Sequence, residues 1–217
     1  PGAFVARLAA DVAAAGGTFE QRRVNRIRAM DGGASVETDA GAMRARHVVV
    51  AAGIDSNGLA AGLGDRLGLA AERGYHAMLA SGAGAPAMPV MAGEHKFVTT
   101  PMAAGVRLAG TSEFARPDRS PDPRRHALLL ERGRALFPGL DTREPAYWLG
   151  SRSTTPDSLP VIGRSRAAPA VTYACGHQHL GLTLAGVTGR LVADDLAGRE
   201  PALDMRPLRP NRFRFAG

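Results

Sequence analysis

Cysteine is almost absent from this sequence. Cys175 stands alone, so no intramolecular disulfide can form, and the chain suits a reducing compartment. Lysine is nearly absent too: Lys96 is the only one, and arginine supplies the rest of the 27 basic residues. Aromatic residues amount to 5%, too few for a platform of stacked bases. The arginines are scattered, with doublets only at Arg22-Arg23 and Arg124-Arg125. The net charge of +7 therefore reads as a bias of the whole composition and not as a nucleic-acid surface. No apolar run approaches the roughly 20 residues that span a bilayer. The opening segment, PGAFVARLAADVAAAGG, lacks the charged start and continuous apolar centre of a signal peptide. The expected location is cytoplasmic, with at most peripheral contact at the inner face of a membrane.

What is present is ordinary globular material. The 217 residues are 45% apolar, enough for one large or two small domains with a proper core. Phe4, Val5, Leu8 and Val12 recur at helical spacing over residues 3–15, and Gly16-Gly17 ends that helix. Short strands follow at 18–20, 22–28 and 35–38, set apart by the turn signals Asp31-Gly32-Gly33 and Asp39-Ala40-Gly41. Residues 47–53 (HVVVAAG) form a continuous β-branched run ending in glycine, the pattern of a parallel strand buried on both faces. Extended stretches at 75–80, 89–91, 95–100 and 106–110, broken by Gly and Pro, predict antiparallel strands. Asp122 is placed to cap a helix that runs to about Phe137, where Pro138-Gly139 stops it. One more strand is expected at 146–152. The last third returns to α/β order: a strand at 170–175, a tight turn at 176–181, then a helix from about Leu182 to Leu196 ended by Gly198.

Three motifs bear on chemistry. Gly62-Leu63-Gly64-Asp65-Arg66-Leu67-Gly68 imitates a dinucleotide fingerprint, but its last spacing is one residue too long and the buried strand ends well before it. It reads as a loop, and no complete phosphate-binding βαβ unit is visible. His177-x-His179 could suggest metal ligands, yet a zinc site needs a third or fourth, so no metal is expected. The third motif is more specific. A buried strand ends at Cys175-Gly176, and a helix packed by Leu182, Leu184, Val187, Leu191 and Val192 begins just after. Glycines permit close approach to the backbone. The free N–H groups and positive end of the helix favour a negative group in front of it.

At this point a family resemblance enters. Tyr147-Trp148-Leu149-Gly150-Ser151-Arg152-Ser153-Thr154-Thr155-Pro156-Asp157-Ser158-Leu159-Pro160-Val161-Ile162-Gly163 resembles the W-x-G-x-R-P-x-T-P-D-x-x-P-x-I-G signature of FAD-dependent D-amino-acid oxidases and dehydrogenases. Gly176-His177-Gln178-His179-Leu180-Gly181-Leu182-Thr183 resembles the second flavin motif of that family, and residues 47–53 resemble its V-V-V-A-A-G strand. Arg73-Gly74-Tyr75-His76 resembles the entry into its substrate domain, and residues 96–114 are similar to the bacterial dehydrogenase branch. Two positions depart from the pattern: Ser153 replaces the proline after the arginine, and Gln178 stands where the dehydrogenases often carry glycine.

The resemblance implies an α/β fold. An FAD-binding, glutathione-reductase-like three-layer domain would be carried by residues 1–71 and 148–217, without its N-terminal βαβ unit. An antiparallel-sheet substrate domain, residues 72–147, would be inserted into it. It also implies hydride transfer from the substrate Cα to flavin N5, giving an imino acid that water converts to a keto acid and ammonia; the cofactor carries that chemistry. Arg152 would clamp the substrate carboxylate, with Tyr75 and His76 in the substrate pocket. FAD would be met by Val24, Ala51, Ala52, Gly53, Trp148, Gly150, Gly176, His177, Gly181, Leu182 and Thr183. The expected partners are a small D-amino acid, an electron acceptor (a quinone or O2), and a missing N-terminal half or partner chain that completes the FAD domain. Two alternatives stand beside this reading. One is a catalytically incompetent remnant or one part of a multi-chain flavoprotein. The other is an oxidase of a different amine such as glycine, sarcosine or a D-proline derivative.

Overall fold

The computed structural model describes residues 1–82 and 84–213. The chain divides into two units: Pro1–Leu69 together with the chain from Thr155 onward, and Ala70–Thr154. Among the described residues no helix is long and apolar enough to cross a membrane.

The first unit opens with helix α1 (Gly2–Ala14), which stops where the two glycines predict. Its apolar stripe of Phe4, Val5, Leu8 and Val12 is exposed, and no residue of the helix is buried. A meander of β1 (Val24–Met30), β2 (Gly33–Thr38) and β3 (Gly41–Ala45) follows. Residues 18–20 do not join it, while β3, with its strand-poor Gly-Ala start, pairs with β2 from Thr38↔Gly41 to Ala34↔Ala45, and Thr38 donates to the Gly41 carbonyl at 2.7 Å. The second sheet of this unit has the order β10-β11-β4, from β4 (Val48–Val50), β10 (Val161–Arg164) and β11 (Val171–Cys175). β4 runs parallel to β11, as the apolar run predicts. It is not buried on both faces. Among the described strands it is the edge, and Val49 is 42% exposed while Val50 is buried.

The short helix α2 (Ser56–Ala61) leads into the glycine-rich 62–68 loop. That loop is structural. Asp65 accepts hydrogen bonds from Tyr173 (2.8 Å) and Ser165, and Leu67 enters the core with Ile27, Val50, Val161 and Tyr173. Helix α4 (Gly181–Leu196) packs only its later turns against β10 and β11, through Leu191 and Val192 on Ile162. Leu182 and Val187, expected to pack the helix down, are exposed instead.

The second unit is a five-stranded sheet in the order β6-β7-β8-β5-β9. Its strands are β5 (Ala70–Leu79), β6 (Val90–Ala92), β7 (Phe97–Met102), β8 (Gly105–Phe114) and β9 (Ala146–Thr154), all antiparallel to their neighbours. β9 pairs with β5 without a break from Met78↔Ala146 to Ala70↔Thr154. That register carries the whole strand into this unit, past the 147/148 boundary expected from the sequence. Ser153 in the proline position does not loosen it: Ser153 is buried opposite Ala71. Helix α3 (Pro123–Leu136) starts with its proline in the first turn and with Asp122 accepting from the Arg124 N–H, a favourable N-cap. It covers one face of the sheet, where Leu129 and Leu130 meet Tyr75, Ala77, Phe97 and Leu108.

This covered face also holds an ionic cluster. Arg73, 1% exposed, lies 3.2 Å from Glu113, whose other oxygen is 3.6 Å from Arg125. Tyr75 donates to Glu113 at 2.6 Å and accepts from the Asp122 N–H at 3.0 Å. A guanidinium cannot neutralise itself by losing a proton, so its burial here depends on Glu113. Glu113→Gln should lower stability by about 3 kcal/mol, because it leaves a buried cation without its counter-charge. The check is the urea midpoint: an unchanged midpoint would show that the cluster contributes nothing.

Candidate functional site

In a strand, alternate residues occupy opposite faces. β5 therefore sends Arg73 and Tyr75 toward α3 and presents Glu72, Gly74 and His76 on the other face. The register puts Arg152, Gly150 and Trp148 of β9 directly opposite these three. Two glycines facing each other make a flat floor, and each is covered. The Arg152 guanidinium lies against Gly74, where any Cβ would overlap it, and the Trp148 ring lies over Gly150 in the same way. Trp148 also stacks on His76, with ring centroids 4.8 Å apart and 17° between planes.

Among the described residues Arg152 is held by a single hydrogen bond, from its Nη1 to Glu72 at 3.3 Å, and Thr154 donates to the other Glu72 oxygen at 3.3 Å. A guanidinium has five N–H donors, so most of this one stays available. His76 Nδ1 is buried and has no hydrogen-bond partner among the described residues. Burial, with a smaller push from the Arg107 charge, lowers the pKa of His76. It is thus a weakened base stacked on an indole, on the same sheet face as Arg152.

The first unit holds a separate arrangement. β4 and β11 are parallel neighbours, so residues 51–53 and 176–181 both lie at carboxyl ends of strands, where open α/β sheets bind ligands. Gly176 takes φ +75°, and an added Cβ would come within 3.0 Å of both Leu69 and Thr155. Gln178 also has positive φ (52°), a left-handed conformation that glycine adopts more readily than glutamine. The N-cap of α4, Leu180, supplies no side-chain bond, so the first-turn N–H groups of the helix remain free to meet a negative group. A cleft of about 460 Å³ runs beside them, lined among others by Val49, Ala51, His177, Gly181 and Ala185. His177 lies 2.9 Å from Thr188 through Nε2, and burial lowers its pKa.

Of the residues singled out from the sequence, Arg152, His76, Trp148 and Gly150 share one sheet face. Tyr75 does not join them. It is 2% exposed on the opposite face, within the Glu113 cluster and edge-on to His126. Ala51, Ala52, Gly53, Gly176, His177, Gly181, Leu182 and Thr183 lie at the strand ends of the first unit. Val24 begins β1, in a different sheet from β4 and β11. Sequence reading passed over Glu72 and the seat that Gly74 provides for Arg152. The signal was there in the two-residue spacing of Glu72, Gly74 and His76, but using it requires the register of β9.

The model of the family described as FAD dependent oxidoreductase (DAO) matches residues 1–195. A D-amino-acid oxidase from Bradyrhizobium diazoefficiens is 37% identical over 98% of this chain and 52% of its own length. A D-amino acid dehydrogenase from Paramagnetospirillum magneticum is 39% identical over 97% of this chain and 51% of its own. The crystal structure of glycine oxidase from Geobacillus kaustophilus superimposes with a TM-score of 0.83 at 29% identity, over 97% of this chain and 57% of that one. The chain thus spans about half the length of the curated relatives it matches. The chain belongs to the family of FAD dependent oxidoreductases of the DAO type.

Proposed function

We propose that this chain carries the substrate-orienting sheet and the flavin-facing helix of an enzyme that oxidises D-amino acids. The observation that carries the reading is Arg152. It is a planar cation laid flat on a glycine floor, with most of its donors open and an aromatic pair beside it. A guanidinium binds a carboxylate at two points and so fixes its orientation as well as its position. The FAD that the family requires would supply the acceptor for the two electrons of the substrate Cα–H bond. The residues present suit that cofactor: a 16-residue helix whose N-cap Leu180 makes no side-chain bond follows a tight turn that opens on Gly176 at φ +75°. Negative charge building on a ring edge in front of α4 would be stabilised by the free N–H groups of its first turn.

The names of the relatives support D-amino acids as substrates. The likeness to glycine oxidase favours a second reading, in which glycine or another small amine is the substrate. In both cases Arg152 receives the carboxylate, and the Trp148–His76 pair borders the space for the rest of the molecule. Steady-state oxidation of several D-amino acids and glycine by the flavin-loaded protein separates the two.

In that assay Arg152→Ala should lower kcat/KM by at least about a hundredfold, roughly 3 kcal/mol of transition-state stabilisation, because orientation is lost along with binding. Arg152→Lys should recover part of the loss. Flavin content should stay the same in both. Near-normal turnover of an Arg152→Ala protein with its full complement of bound flavin would make the arginine structural and remove the amino-acid reading. The flavin itself should be held non-covalently. Cys175 is buried with its thiol pKa pushed up to about 11, chiefly by that burial, and His177 is engaged by Thr188. Acid precipitation should release the yellow colour into the supernatant; colour left in the pellet would refute this.

A further inference from the structure

In the segment after α4, one residue makes more hydrogen bonds than any catalytic candidate. Arg212, its side chain one-tenth exposed, donates through Nε and Nη2 to the two Asp157 oxygens at 2.7 and 2.9 Å. Nη2 also donates to the Leu159 carbonyl at 2.7 Å, and Nη1 to the carbonyls of Leu208 and Arg209, both at 3.2 Å. These five bonds equal the number of N–H groups a guanidinium has.

The loop it grips is wound tightly on itself. Asp157 accepts from the Leu159 N–H at 3.1 Å, Thr155 donates to the Leu159 carbonyl at 2.8 Å, and Ser158 between them has φ +64°. The two ends of this loop flank Gly176: Thr155 and the Val161 nitrogen are among the three atoms nearest to where its Cβ would stand, with Leu69 the third. A chain of contacts thus runs from Arg212 through Asp157 and Leu159 to Thr155, and from there to the first residue of the 176–181 turn. The Arg212 hydrogen bond is also the main reason why the Asp157 carboxyl titrates below its usual range.

We infer that Arg212 is a positioning residue for the flavin-facing turn, acting through the 155–160 loop as a clasp on its outer side. The inference rests on the reading of residues 176–181 as flavin-facing, but its structural half can be tested without flavin. In hydrogen–deuterium exchange on the full chain, Arg212→Ala should speed exchange of the 176–181 amides at least about tenfold while β5, β8 and β9 stay unchanged. Arg212→Lys should fall between, since a point charge cannot replace a fork. Unchanged exchange at the turn, or equal acceleration throughout the chain, overturns the inference. Should Arg212→Ala fail to fold, Asp157→Asn removes the charge from the clasp and keeps its shape, with the same expectation.

FAD titration of the same proteins then addresses the functional half. The dissociation constant of Arg212→Ala should rise at least about tenfold, and an unaltered constant overturns the positioning role. A wild-type chain that takes up no FAD would tell against the flavin reading of the turn and leave the exchange result to decide the clasp.

Discussion

The pairing of β5 with β9 sets Gly74 against Gly150, and the arrangement of the second unit follows from the space this leaves. A sheet normally covers itself with the side chains of each opposed pair. Here an opposed pair has none, so the guanidinium of Arg152 and the indole of Trp148 fold down onto bare backbone. Each gains van der Waals contact and loses freedom, which suits the orienting role proposed for Arg152. A side chain at either glycine would lift the flat group above it, and the charge and ring would stand off the sheet.

The chain handles its arginines in three ways, and the contrast identifies what each does. Arg73 is fully buried and shares Glu113 with Arg125 and Tyr75, so its charge is spent inside the unit. Arg212 has a partner for each of its N–H groups and works as a tie between segments. Arg152 has one long hydrogen bond to Glu72 and an open side. Arg152 is paired with Glu72 through one nitrogen only, so of the three it is the one with donors left over for the carboxylate proposed above. Glu72 meanwhile keeps the cation aligned and moderates its charge.

Much of this was legible from residues alone. The order of helices and strands, the Asp122 cap, the parallel strand at Val48–Val50 and the turn before α4 follow from local patterns: spacing, capping chemistry and glycine placement. Those are properties of a few consecutive residues, so they survive into the fold. The burial expected of Val49 and of the first turns of α4 does not appear, because an apolar run states that a face is suited to packing, not what it is packed against.

The sequence by itself determined the family, the α/β order and the identity of Arg152 as the carboxylate candidate, since motifs of fixed spacing carry all three. It placed Tyr75 and His76 together, as neighbours in one motif. Only the tertiary structure separated them. Adjacent strand residues must point to opposite faces, but which face α3 covers depends on the packing of Leu129 and Leu130 some fifty residues further along. The same holds for Glu72, Gly74 and Arg212. Each acts through a partner far away in the chain, and long-range pairing is settled by register and burial, which no local stretch of sequence encodes.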